Sequence, residues 1–264
     1  MTGFSQMMEN VRMKKPLVHH ITNYVTVNDC ANICICSGGS PVMTDELKDV
    51  EDMVSIANAV VLNMGTLNER TVQSMLAAGN IAKSKGVPVV FDAVGAGATT
   101  YRKTVAKLII DKVRPDVVKG NDGEISFLSG VEGGVRGVDS TASGTGMGEK
   151  VKDLAHMLGC VVASTGEVDH VSDGKVLFEL KNGHSLEGCV SGTGCMVSSV
   201  IGAYVGANGV SAESVVAAIS AFNIAAEHAA KQCSGPGSFK MALFDKLFDL
   251  KTKEMNSEIK VSEI

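Results

Sequence analysis

The chain has 264 residues, 45% of them hydrophobic and 20% charged, an ordinary globular balance that fills one large α/β domain or two small ones. Its net charge of −5, with no run of Lys or Arg longer than two, argues against nucleic acid or an acidic membrane surface as the main partner. The opening MTGFSQMMENVR lacks the apolar core of a signal peptide, and no stretch reaches the ~18–20 apolar residues that cross a bilayer, so a cytoplasmic protein is expected.

The segment LVHHITNYVTVNDCANICICSGGSPVMTDE (17–46) reads as a short strand, a turn through Asn23, an apolar helix, and a return through GGSPVM to a second strand. His19 and His20 have no identifiable partner acid, which favours a structural role. A loop carrying Asn23 and Met43 suits a small heteroaromatic ring, with the amide on a ring nitrogen and the thioether on its face. Cys30, Cys34 and Cys36 fall in the apolar helical pattern, where cysteine acts as a small hydrophobe. The seven cysteines are odd in number and contain no Cys-x-x-Cys pair, which disfavours zinc and points to a reducing compartment.

AVVLN (59–63), PVVFD (88–92), DVVKG (116–120) and CVVAST (160–165) are Val-rich and lack strict alternation, as strands buried on both faces of a parallel sheet do. Between the first two, 68–85 reads as a helix with Val72, Met75, Leu76 and Gly79 on one face and Gly86 as its stop before Pro88. Strand alternating with helix predicts a doubly wound α/β fold. In FDAVGAGAT (91–99), Asp92 ends a buried strand, on the edge where open α/β sheets bind ligands. Thr100 stands where a dinucleotide fingerprint needs its third glycine, and no Gly-Lys-Ser/Thr of a P-loop exists, which disfavours a dehydrogenase and excludes a P-loop enzyme. In VVKGNDGEISFL (117–128), Lys119 and Asn121 close a strand and Glu124 opens a helix. Glu124 is either a favourable partner of the helix dipole or a carboxylate that orders Mg²⁺ with Asp92.

The glycine-rich stretch 130–148 reads as a long surface loop. EVDHVSDGKVLFEL (167–180) reads as a hairpin with a two-residue turn at Asp173-Gly174. Helices are expected over 193–207, 211–231 and 238–250. CVSGTGCMVSSVIGAYVGA (189–207) places Gly192 and Gly194 around Thr193 at the start of an apolar helix. That is either a tight turn that merely starts the helix, or an anion site built from the helix's first free amides.

In this order, TNYVTVND, GGSPVM, VLNMGTL, VGAGAT, TGEVD, NGH, SGTGC and GPGSF closely resemble the hydroxyethylthiazole kinases over nearly the whole chain. The resemblance implies a single ribokinase-like domain over residues 1–264, a central, mainly parallel sheet with helices on both faces. It implies phosphorylation of the hydroxyl of 4-methyl-5-(2-hydroxyethyl)thiazole by MgATP, in a homotrimer with the thiazole between subunits. Met43, Gly192 and Asn23 would then be thiazole-site residues, Lys119 and Thr165 nucleotide-site residues, and Asp92 and Glu124 the Mg²⁺–phosphate region. Gly192, Gly194 and Cys195 would form the catalytic anion hole. Three positions depart from common patterns. Lys119 replaces an Arg and loses its planar fork. Ala93 replaces a proline, and Cys195 stands where the wider superfamily has a general-base Asp. Hydroxymethylpyrimidine-type kinases carry that Asp, so Cys195 separates this chain from them. Intact Asp92, Glu124 and loop glycines argue against a nucleotide-binding regulator that has lost catalysis.

Overall fold

A computed structural model describes residues 2–132 and 146–264. The strands are β1 (Leu17–Ile21), β2 (Ser40–Met43), β3 (Ala59–Asn63), β4 (Val89–Asp92), β5 (Val117–Asn121), β6 (Val161–Thr165), β7 (Asp169–Ser172), β8 (Leu177–Leu180) and β9 (Val261–Glu263). They form one sheet in the order β2-β1-β3-β4-β5-β6-β7-β8-β9. From β2 to β6 every pairing is parallel, and β7, β8 and β9 add an antiparallel edge.

The missing alternation in the strands has the expected cause. In β3, Val61 feeds one apolar core while Val60 and Leu62 feed the other; in β4, Val90 and the pair Val89 and Phe91 divide the same way. Helices α1 (Thr2–Lys14), α2 (Val27–Ser37), α8 (Thr193–Asn208), α9 (Ala212–Ala230), α10 (Pro236–Asp249) and α11 (Thr252–Glu258) contribute to the first core. Helices α3 (Val50–Ile56), α4 (Glu69–Lys85), α5 (Thr100–Val113), α6 (Asp122–Glu132) and α7 (Met147–Leu158) contribute to the second. Both faces of the sheet are therefore covered, and the architecture is ribokinase-like, as expected.

Local chemistry sets the helix ends. Asn68 caps α4 by accepting the Thr71 amide at 3.0 Å, and Thr71 Oγ1 accepts the Asn68 amide at 3.2 Å. Gly86 closes α4 in the left-handed region at φ +69°. Helix α8 is apolar almost all round and lies in the core, which Gly202 permits: a Cβ there would stand 2.6 Å from Val61 Cγ2.

Three expectations change. The glycine-rich stretch 130–148 is not loop at its ends, because residues 130–132 belong to α6 and residues 147–148 to α7; residues 133–145 lie outside the described residues. The turn between β7 and β8 spans four residues, 173–176, rather than two. Asp173 Oδ1 accepts the amides of Lys175 and Val176 at 2.8 and 3.0 Å, so the side chain itself builds a wider turn around Gly174. Helix α10 starts at Pro236, two residues before the expected boundary, since proline is favoured at a first helical position.

Candidate active site

The site begins with sheet register. Asn63 on β3 pairs with Asp92 on β4, and Asp92 pairs with Lys119 on β5, so three polar residues stand in one row across adjacent parallel strands. Each ends or nearly ends an otherwise apolar run at the carboxyl edge of the sheet, where ligands bind in open α/β folds. All three are buried and satisfy one another. Asn63 Nδ2 donates to Asp92 Oδ2 at 2.7 Å, and Lys119 Nζ lies 3.4 Å from Asp92 Oδ1. Lys119 Nζ also donates to the Gly194 carbonyl at 3.1 Å. Burial alone would lower the Lys119 pKa, but the neighbouring acidic groups, Asp92 foremost, outweigh it and hold the pKa above its ordinary value. The residue expected to bind nucleotide phosphate thus sits in an interior ion pair beneath the glycine turn.

The row continues into the loop after β1. Asn63 Oδ1 accepts from Asn23 Nδ2 at 2.9 Å and from the Gly65 amide at 2.9 Å. The second N–H of Asn23 points to Cys195 Sγ at 3.4 Å, and Asn23 Oδ1 accepts the Thr26 amide at 3.1 Å. Burial, helped by the Asp92 carboxylate, raises the Cys195 thiol above its ordinary pKa despite the opposing pull of Lys119.

Gly192 begins α8 in the left-handed region at φ +91°, and its carbonyl accepts the Met196 amide at 2.9 Å. The turn presses on the start of α2: a Cβ on Gly192 would stand 2.3 Å from Thr26 Cγ2. The first amides of α8, from Thr193 to Cys195, have no intrahelical partner and form its positive end.

Glu124 sits beside this row. Its Oε1 accepts the Gly95 amide at 2.6 Å and its Oε2 the Asn121 amide at 2.7 Å, while its own amide donates to Asn121 Oδ1 at 2.9 Å. The carboxylate therefore joins the loop after β4 to the start of α6. Arg102 on α5 ties the same loops together, donating to the carbonyls of Met64, Val94 and Gly65 at 2.7, 2.8 and 2.5 Å.

Two clefts flank the row. One, of about 250 Å³, is lined by Met43, Thr22, Tyr24, Val27 and His20 among others. The other, of about 800 Å³, is lined by Thr165, Asn121, Asp169, Glu187, Thr193 and Gly194 among others. Asn23 falls between two residues of the smaller cleft, and Cys195 directly follows two residues of the larger. Neither lines a cleft itself, and their 3.4 Å contact links the chain segment of one to that of the other. In the larger cleft, burial pushes the carboxyl of Asp169 up to about 6 and that of Glu187 up to about 7. Asp169 accepts the Gly166 amide at 3.0 Å and Asn223 Nδ2 at 2.7 Å, which anchors the Thr165-Gly166 turn to α9. Thr165 Oγ1 lies 3.4 Å from the Gly120 carbonyl.

His19 and His20 bond to backbone carbonyls, of Thr44 at 2.9 Å and Val18 at 3.0 Å, not to an acid. Burial lowers both pKa values, that of His20 to about 4, so both rings are neutral near pH 7. Cys30 and Cys34 are buried on α2 as small hydrophobes, and all seven thiols are free. Sequence reading missed Asn63, Thr26, Arg102 and Asp169. Asn63 alone carried a signal, the same one that marked Asp92: a polar residue closing an all-apolar strand.

Residues 8–253 match the model of the hydroxyethylthiazole kinase family. A hydroxyethylthiazole kinase from Methanocella arvoryzae is 50% identical, covering 98% of this chain and 97% of its own. The structure of a hydroxyethylthiazole kinase protein from Pyrococcus horikoshii superposes with a TM-score of 0.92 at 40% identity, over 100% of both chains. A ribokinase-like superfamily protein from Enterococcus faecalis gives a TM-score of 0.63 at 14% identity, over 93% of this chain and 89% of that one, a likeness of fold alone.

Proposed function

The chain belongs to the hydroxyethylthiazole kinase family, and from that membership we propose that its two clefts divide the substrates of one phosphoryl transfer. The smaller cleft, with Met43 and the Asn23 loop, takes 4-methyl-5-(2-hydroxyethyl)thiazole. The larger, with Thr165, takes ATP. The observation that carries this division is the Asn23–Cys195 contact beside the Asn63–Asp92–Lys119 row, which links the segment carrying the smaller cleft to the segment carrying the larger.

Phosphoryl transfer asks the protein for positioning and for positive potential at the moving phosphoryl group. The amides of residues 193–195 supply that potential at the head of α8, and Gly192 lets the chain turn closely enough to aim them. Lys119 works from below: its ammonium fixes the Gly194 carbonyl and neutralises Asp92, so the net field under the turn is not negative. A raised thiol pKa leaves Cys195 protonated near pH 7, which makes it a packing and hydrogen-bonding neighbour of the acceptor hydroxyl rather than a strong base. A loose transition state tolerates this, because the hydroxyl proton leaves late.

Mg²⁺ fits the carboxylates present. Among the described residues no three His, Cys, Asp or Glu side chains converge as a cage. Mg²⁺ commonly keeps its waters and takes one or two carboxylates plus substrate phosphates. Glu124, half-buried and with one lone pair per oxygen still free, is the group that would hold it, with Asp92, the other carboxylate of the expected pair, buried behind it in its ion pair with Lys119. When bound, the cation supplies charge at the nucleotide's phosphates.

The same reading includes a single kinase domain, a homotrimer with thiazole sites between subunits, and a cytoplasmic location suited to seven free thiols. No nucleic-acid or membrane partner belongs to it; no helix among the described residues is long and apolar enough to cross a membrane. Exposed Tyr24 and Val25 beside the smaller cleft support a partner subunit there. The direct test is ADP release with thiazole alcohol and MgATP, with the phosphorylated alcohol identified by mass. ADP released at the same rate without the alcohol, or no product, overturns the assignment.

A further inference from the structure

Asn63 is buried and makes three hydrogen bonds whose directions allow one orientation of its amide. Asp92 is an acceptor, so Nδ2 must face it, at 2.7 Å. The Gly65 amide is a donor, so Oδ1 must face that, at 2.9 Å. With Asn63 so fixed, only a donor from Asn23 can meet Oδ1, and Asn23 is held the same way from its other side by the Thr26 amide at 3.1 Å. Asn23 therefore turns its NH₂ group inward. One hydrogen is committed to Asn63 and the other is aimed at Cys195 Sγ, 3.4 Å away, where the acceptor hydroxyl and the phosphoryl group meet in the function proposed above.

We infer that Asn63 is a positioning residue for the phosphoryl transfer: anchored by Asp92 and Gly65, it fixes the Asn23 amide so that the N–H it keeps on Cys195 Sγ stands beside the reacting hydroxyl. Asn63 also reaches Cys195 directly with its side chain, and a double-mutant cycle isolates the part of its effect that runs through Asn23. Sheet register makes the arrangement rigid, because Asn63 and Asp92 are cross-strand partners on parallel β3 and β4, and neither can move without the sheet. The Asn23 side chain, which stands on a loop, borrows that rigidity through one hydrogen bond. The inference rests on the thiazole kinase reading of the site, and its test separates the two.

The test is a double-mutant cycle on kcat with Asn63→Ser and Asn23→Ala. Serine keeps a small polar group in the core but is one bond too short to hold Asn23. Asn63→Ser is expected to lower kcat about 10²-fold and to change the thiazole KM less than about threefold, the pattern of lost alignment rather than lost binding. In the Asn23→Ala background the same change should cost less than about threefold, because the group it positions is gone. A second readout does not need turnover: the Asn23 side-chain amide resonances, assigned by their loss in Asn23→Ala, should collapse toward free-amide positions in Asn63→Ser. Multiplicative losses in the cycle, or an unmoved Asn23 resonance pair, overturn the inference. A wild-type protein that leaves the thiazole alcohol untouched overturns the function reading instead, and the resonance readout then still decides whether Asn63 orients Asn23.

Discussion

Gly192→Ala probes the closest approach in the site. The added methyl would stand 2.3 Å from Thr26 Cγ2, about 1.2 Å inside the ~3.5 Å at which two carbons touch comfortably. Thr26 is buried at the start of α2, and turning its side chain away would take Oγ1 from the Cys30 thiol that donates to it at 3.7 Å. Two costs follow: about 1–2 kcal/mol for an Ala held at φ +91°, and about 1–3 kcal/mol for overpacking. If both fall on the closed form of the turn, kcat/KM for the thiazole alcohol drops about 30-fold or more. The double variant Gly192→Ala with Thr26→Ser removes the clashing methyl but leaves the backbone strain. Relative to Thr26→Ser alone, its loss should shrink to about 5–30-fold. The assay is coupled ADP release over a range of thiazole alcohol, with thermal melting to separate a displaced turn from an unfolded protein. Activity of Gly192→Ala within about threefold of wild type, or no recovery with serine at position 26, refutes the steric argument.

Cys195→Ser should keep substantial activity, and wild-type kcat should stay flat from about pH 7 to 8.5: a thiol pKa raised by burial keeps the neutral form through that window, so a thiolate base would show as a rate rising with pH. A loss beyond about 10³-fold in that variant, with binding intact, points instead to a general base. Lys119→Met leaves Asp92 buried without its counter-charge and should cost about 3–5 kcal/mol in urea denaturation; the conservative Lys119→Arg should retain most of that stability, and equal losses in both would show that shape rather than charge matters there. Glu124→Gln should lower kcat more than thiazole affinity and raise the Mg²⁺ concentration needed for half-maximal rate, and an unchanged Mg²⁺ titration removes this carboxylate from the metal. Mixing Met43→Arg with Gly192→Trp, each inactive alone, should restore part of the activity if sites form between subunits; a fully active monomer by light scattering defeats that assembly.

Elements that depend on local pattern are legible in the chain alone. Val-rich runs without alternation announced strands covered on both faces, and the structure divides their side chains between two cores residue by residue. Asp92 and Gly192 were legible because a carboxylate closing an apolar strand and a glycine opening an apolar helix are local signals. What those residues do to one another follows from strand register and helix docking. Parallel pairing sets Asn63, Asp92 and Lys119 in one row, and a shift of a single residue would turn each side chain to the opposite face. The docking of α8 over that row put Gly194 above Lys119 and Gly192 against Thr26, and it sets Lys119, expected at the nucleotide site, in an interior ion pair. Strand β9 belongs to the same class: its three residues carry too little pattern to read, and they become a strand because β8 offers an unpaired edge. Register, docking and edge pairing join residues far apart in the chain, and their energies come from neighbours that no local window of sequence contains.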